Sequence, residues 1–176
     1  MKKIILGVSS SIAAYKACEL TRLFVKADYS VFTVLTKNAL NLVTPLTLET
    51  LSGNPVYTDS FSRERREMGH IQLKENADIL VVAPATANIM GKFAGGIADD
   101  LLSTTFLSVS CPVLIAPAMN PNMYLHPAVQ ENISKLKSWG VHFVEPDEGE
   151  VACGDVGYGK LAEIDRIFRA VQDVIE

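Results

Sequence analysis

Cysteine is scarce in this chain: three among 176 residues, an odd number, with no CxxC pair. That pattern excludes a disulfide framework and a cysteine-rich zinc site. Long apolar runs are also missing. Met1-Lys2-Lys3 followed by Ile4-Ile5-Leu6-Gly7-Val8 has the charge of a signal-peptide opening, but the apolar stretch stops at Ser9-Ser10-Ser11. No run of about 18 apolar residues follows, so no spanning helix is predicted. Nor is charge of one sign concentrated. The 20 acidic and 16 basic residues are mixed along the chain and leave a net charge of -4. A basic stripe for nucleic acid and a polybasic membrane patch are both absent. The densest cluster, Arg63 to Glu67, carries both signs and reads as solvated surface. Internal repeats, low-complexity tracts and linkers are lacking. The expectation is a soluble, cytoplasmic protein with neither nucleic acid nor membrane as partner.

What is present fits one domain over residues 1–176. Hydrophobic residues make up 48% and charged residues 20%, a composition that supports a sizeable core. Lys3 to Val8, Val31 to Leu35, Ile79 to Pro84, Pro112 to Ala116 and Val141 to Val144 read as strands. Ile79 to Pro84 is apolar at successive positions, as in a parallel sheet covered on both faces. Between these runs the spacing turns helical. Ala13, Ala17, Leu20, Phe24 and Ala27 form one stripe, and Ile164, Ile167, Phe168, Val171 and Val174 form another. Shorter helices are predicted over Pro45 to Leu51 and Asp100 to Leu107. Pro127 to Trp139 starts with proline and is followed by Gly140, the expected punctuation of a helix. Strands alternating with helices predict a three-layer α/β sandwich of Rossmann-like or flavodoxin-like type, with a mostly parallel sheet.

Ligands of such sheets bind beyond the carboxyl ends of the strands. Four segments fall there: Ser9 to Ile12, Thr36 to Asn38, Pro84 to Asn88 and Pro117 to Asn120. The first lacks both the GxGxxG pattern and a Walker A lysine. It offers a row of hydroxyls at a helix start, which suits a single phosphate group or simple N-capping. The last is bracketed by Pro117 and Pro121, which restrict the backbone around Asn120. Its amide is either fixed for carboxylate recognition or serves a turn.

Cys18 and Cys111 read as small buried side chains. Among the histidines, His126 stands in a capping position, His142 in a strand, and His70 in Gly69-His70-Ile71-Gln72-Leu73 at the opening of a possible short helix. A helix start disfavours the imidazolium form. Residues 149 to 161 hold four of the chain's 11 glycines and carry Cys153. This stretch is not expected to be regular throughout and reads as a loop, a candidate flap over a ligand.

Taken together and in order, these segments resemble the homo-oligomeric flavin-containing cysteine decarboxylases. Gly-Val-Ser-Ser-Ser-Ile-Ala-Ala-Tyr-Lys from Gly7 is similar to that family's FMN-phosphate loop, and Gly69 to Leu73 to its catalytic histidine motif. Pro117-Ala118-Met119-Asn120 with Met123 resembles the substrate motif. Ala152-Cys153-Gly154-Asp155 with Gly157 and Gly159 resembles the substrate-clamp flap. The resemblance implies FMN held by Ser10, Ser11, Ile12, Thr36, Lys37, Asn38, Thr86, Ala87, Asn88 and Ala118. It implies a substrate bound by Asn120, Met123, Ala152, Cys153 and Leu161, and a trimer or a dodecamer assembled from trimers.

His70, Asn120, Met123 and Cys153 point within the family to phosphopantothenoylcysteine as substrate. The implied route oxidises the cysteine moiety to a thioaldehyde, loses carbon dioxide to give an enethiolate, and returns the hydride. In that scheme His70 is a base, Asn120 binds the carboxylate and Cys153 donates a proton. The same resemblance leaves a peptidyl-cysteine substrate and a flavin-binding regulatory protein as alternatives, and a flavin prenyltransferase of the same fold as a lesser one. Two positions depart from the family pattern. Ser10 stands where many relatives carry glycine, and Gly159-Lys160-Leu161 replaces Gly-Arg-Met.

Overall fold

The structure, a computed structural model, describes residues 1–59, 75–150, 152 and 154–176. Arg63 to Glu67, His70 and Cys153 therefore lie outside the described residues. The central sheet contains β1 (Lys3–Val8), β2 (Ser30–Leu35), β3 (Val56–Tyr57), β4 (Ile79–Ala85), β5 (Val113–Pro117) and β6 (His142–Phe143). Every pairing in it is parallel, in the order β3-β2-β1-β4-β5-β6. This is the doubly wound Rossmann order, which reverses direction between β1 and β4.

The period of two along the strands builds a core on each side of the sheet. Ile4, Leu6, Val8, Ile79, Val81 and Ala83 enter one cluster. Ile5, Leu80 and Val82 enter the other. On the first side lie α1 (Lys16–Lys26), α2 (Pro45–Ser52) and α7 (Ile164–Ile175), which contribute Leu20, Phe24, Leu48, Ile167 and Val171. On the second lie α3 (Ala87–Gly95), α4 (Leu101–Ser108) and α6 (Pro127–Ser138), bringing Phe93, Leu102 and Leu136. Phe93 and Phe106 stack with centroids 4.0 Å apart, joining α3 to α4. At Gly7 a Cβ would meet Leu102 Cδ1 at 2.5 Å, so α4 reaches the sheet only because that position has no side chain.

The helix boundaries follow local chemistry. Asp100 and Ser103 form a reciprocal capping box at the start of α4. Desolvation opposes the charge on Asp100, yet hydrogen bonds from Lys92 and Ser103 hold its carboxyl below the usual carboxylate range. Pro127 occupies the first turn of α6, and His126 Nδ1 accepts from Ala128 N–H as its cap. The predicted helix from Ala13 begins as a 3-10 turn over Ile12–Tyr15 and becomes α-helical at Lys16.

Two expectations are corrected. Cys18 and Cys111 are half-buried rather than fully enclosed, and that partial burial pushes both thiols up from their ordinary range. The glycine-rich stretch is not a loop over its whole length: β7 (Asp147–Glu150) and β8 (Val156–Lys160) pair as an antiparallel hairpin apart from the main sheet. Backbone pairing holds it where side-chain patterning is weak. Among the described residues no helix is long and apolar enough to cross a membrane.

Candidate functional site

The reversal between β1 and β4 leaves a crevice at the carboxyl edge of the sheet, where neighbouring connections diverge to opposite faces. Ser9 fixes its floor. Its buried hydroxyl donates to the Pro84 carbonyl at 2.9 Å and accepts from the Thr86 N–H at 2.9 Å, tying the end of β1 to the end of β4. Beyond it, Ser11 Oγ accepts from Ala13 N–H at 3.3 Å and starts the 3-10 turn, while Ser10 is exposed to the crevice. Thr86 performs the same task for α3, accepting from Ile89 N–H at 3.3 Å. Of the two serine readings, the structure shows N-capping, by Ser11.

The end of β5 forms the second wall. Ala118 N–H donates to the Ala85 carbonyl at 3.0 Å, continuing the sheet edge into residues 118–120. Asn120 then caps the short helix α5 (Pro121–Leu125), its Oδ1 accepting from Asn122 N–H at 2.8 Å. With Oδ1 committed, its Nδ2 is turned toward the hairpin and donates to Asp155 Oδ2 at 2.5 Å. The turn role of Asn120 is carried by Oδ1, and its Nδ2 holds a carboxylate of the chain itself.

The hairpin is docked on this wall by its backbone. Met119 N–H donates to the Gly159 carbonyl at 2.9 Å. A Cβ at Gly159 would meet Met119 O at 2.3 Å, so only glycine permits this approach. Glu150 and Ala152 come from the same hairpin, and Lys160 and Leu161 from its return.

These segments enclose a cavity of about 720 Å³. Among the residues predicted to form a site, it brings together Ser10, Ser11, Ile12, Thr86, Ala118, Asn120, Met123, Ala152 and Leu161. Thr36, Lys37, Asn38, Ala87 and Asn88 are not part of this lining. Thr36 N–H bonds the Val8 carbonyl at 3.1 Å, next to the end of β1, and Lys37 and Asn38 follow it as exposed residues of a 3-10 turn. Ala87 and Asn88 lie in the first turn of α3. Thr36 Oγ1 is buried and finds no hydrogen-bond partner among the described residues. Sequence reasoning placed Ser9 in a strand-end segment, Lys16 in the phosphate-loop motif and Asp155 in the flap motif without giving any of them a contact, and it did not single out Glu150; a single chain carries no local signal that Asp155 faces Asn120.

Behind α5 lies a brace of charges. Tyr124 donates its phenol to Glu145 Oε2 at 2.5 Å, and Lys137 reaches Oε1 of the same carboxylate at 2.5 Å. Burial, followed by the bond to Glu145 and its charge, pushes the Tyr124 phenol well above the ordinary tyrosine range. Burial works against the Glu145 charge, but Lys137 and Tyr124 hold that carboxyl below its ordinary range. Since Tyr124 N–H also bonds the Asn120 carbonyl at 3.0 Å, this brace fixes the helix that Asn120 caps.

Fold and crevice together define an α/β protein of doubly wound topology with a cavity at its switch point. The family model described as Flavoprotein matches residues 1–176, and the chain belongs to that family. It is 48% identical over 172 residues to the "Coenzyme A biosynthesis bifunctional protein CoaBC" of Bacillus subtilis, a match covering 97% of this chain and 42% of the relative. The chain thus spans less than half the length of that relative. Among solved structures it is similar to a cysteine-to-serine mutant of PPC decarboxylase complexed with pantothenoylaminoethenethiol. That match has a TM-score of 0.86 and 31% identity, and covers 97% of this chain and 96% of the other. It is similar also to the FMN-dependent cysteine decarboxylase SpaF, with a TM-score of 0.81, 32% identity, and 97% and 98% coverage.

Proposed function

We propose that this chain is an FMN-dependent carboxy-lyase that converts phosphopantothenoylcysteine (PPC) to phosphopantetheine, a step of coenzyme A synthesis in the cytoplasm. Residues 1–176 carry that step. The observation that supports it most is Asn120, whose amide N–H already holds a carboxylate at the mouth of the crevice. A substrate carboxylate has the same chemistry as the Asp155 group bonded there.

The crevice residues fit FMN. Ser10, Ser11 and Ile12 lead into a 3-10 turn and helix N-terminus, a setting whose dipole suits one phosphate. Thr86 and Ala118 line the cavity, whereas Lys37, Asn38, Ala87, Asn88 and Thr36, whose buried hydroxyl has no hydrogen-bond partner among the described residues, are outside that lining and are assigned to FMN by the family resemblance. FMN, when bound, supplies reversible two-electron oxidation. The chain supplies binding and proton control. Asn120 orients the carboxylate, and Met123 and Ala152 contact the substrate. Leu161 and Ala118, each 3% exposed, form an apolar wall that strips water from the carboxylate, and desolvation favours its loss as neutral carbon dioxide. His70 acts as base, and the Cys153 thiol delivers a proton to the product carbon.

The working form is a homo-oligomer, a trimer or a dodecamer assembled from trimers. Ile12 and Met123 support this: apolar residues of the cavity lining, they stand 61% and 49% exposed, more than a water-facing rim favours. The test is a paired assay of the FMN-loaded protein with PPC and with a peptide ending in cysteine. Carbon dioxide release from PPC at a much higher kcat/KM is expected; preference for the peptide would overturn the substrate assignment.

A further inference from the structure

Asn120 offers its Nδ2 to Asp155 Oδ2 at 2.5 Å, while its Oδ1 is held by Asn122 N–H at 2.8 Å. The amide is therefore fixed in orientation, and the one end that faces the cavity carries an internal carboxylate. Asp155 sits between β7 and β8, on a hairpin whose β8 strand is pinned to Met119 through the Gly159 carbonyl. The loop is thus tethered at its root, and its exposed carboxylate lies at the carboxylate subsite.

A substrate carboxylate arriving at the same nitrogen meets a like charge at close range. Two carboxylates on one amide repel, and the bond from Asn122 N–H to Oδ1 holds that amide in place. We infer that Asp155 is a positioning residue that occupies the carboxylate subsite of Asn120 in the resting protein, yields it to the substrate carboxylate, and reclaims it as carbon dioxide leaves. This rests on the reading of Asn120 as the carboxylate binder and adds to it a competitor within the chain.

The consequence is kinetic. Carboxylate binding is weakened in the ground state, where the substrate is charged. The penalty is relieved in the transition state, where charge leaves the departing group and Asp155 returns to the amide. An interaction of this kind raises KM and kcat together, and its removal lowers both.

The test uses FMN-loaded protein, wild type and the variants Asp155→Ala, Asp155→Asn and Asn120→Ala, each checked by thermal melting. Calorimetry measures binding of 4'-phosphopantothenoylserine, which keeps the carboxylate and lacks the thiol, and of phosphopantetheine, which lacks the carboxylate. Asp155→Ala is expected to bind the serine analogue about 3- to 10-fold tighter, the worth of one exposed charged hydrogen bond. Phosphopantetheine affinity changes less than about two-fold, since no carboxylate competes for the amide. Asp155→Asn, isosteric but uncharged, falls between. With PPC both KM and kcat drop for Asp155→Ala. Serine-analogue binding that is unchanged or weaker in both Asp155 variants overturns the competitor role. If Asn120→Ala leaves the wild-type affinity for that analogue intact, the carboxylate subsite itself is wrong and the inference falls with it.

Discussion

The Ser9 hydroxyl accepts a hydrogen bond from the Thr86 N–H at 2.9 Å, across the point where the sheet reverses its winding. The same hydroxyl donates to Pro84, so one buried side chain satisfies a backbone donor and acceptor on the neighbouring strand end. Replacing it leaves Thr86 N–H without that partner, while Pro84 O keeps the Ser9 N–H at 3.2 Å. Ser9→Ala is expected to lose about 1–2 kcal/mol in urea unfolding. It should also loosen FMN binding, because the floor of the crevice is no longer tied across β1 and β4.

Thr36 gives the opposite pattern. Its hydroxyl is buried without a partner among the described residues, so removing it costs the ligand-free protein nothing in hydrogen bonding. Thr36→Val should leave apoprotein stability unchanged or slightly raised while FMN affinity falls about 3- to 10-fold, the worth of one hydrogen bond. Flavin fluorescence titration and a melting curve on the same preparation check both halves. A parallel loss of apoprotein stability would assign the hydroxyl to the fold instead.

Gly159 sets the position of the hairpin against the substrate wall. In Gly159→Ala the new methyl group conflicts with the Met119 carbonyl, and the Met119–Gly159 hydrogen bond has to lengthen. A strain of about 1–3 kcal/mol is expected locally. Amide exchange at Met119 should accelerate, and kcat/KM should fall more than ten-fold while the two buried cores keep their exchange protection.

The brace behind α5 carries a pH dependence. Glu145 is held below its ordinary range in the folded chain, so its contribution is present above the unfolded carboxylate value and is lost as pH falls through the folded one. Tyr124→Phe removes one of the bonds that hold it there. The acid limb of the stability curve should move to higher pH, with a loss of about 1 kcal/mol near neutrality. At the alkaline end the sign reverses. The raised Tyr124 phenol contributes below the unfolded tyrosine value and is lost as pH rises through the folded one, so the variant should be less sensitive there.

Much of this fold is legible in the chain because its strands are buried on both faces. Ile4 to Val8 and Ile79 to Ala83 have no polar position to obscure them, and the stripes of α1 and α7 keep helical spacing. Helix α3 escapes such reading because Gly91 and Gly95 interrupt its pattern and its first turn doubles as a strand-end segment. The hairpin escapes for a related reason. Val156 and Tyr158 alternate with Gly157 and Gly159, but they point outward, and the glycines are required by contact with Met119 and Pro121 rather than by a loop. For the site, Ser10, Ser11, Asn120 and Ala118 are found from strand-end logic alone. The pairing of Asn120 with Asp155 is not, because it joins residues 35 positions apart and depends on the intervening chain folding back.

The most direct test of the decarboxylase reading follows the carboxyl carbon. FMN-loaded protein is incubated with PPC labelled with ¹³C in the cysteine carboxyl group, and labelled carbon dioxide and phosphopantetheine are counted together. Equal amounts of both, over many turnovers and with no net bleaching of the flavin, are predicted. Retention of the label in unreacted PPC by a fully FMN-loaded preparation would contradict the account.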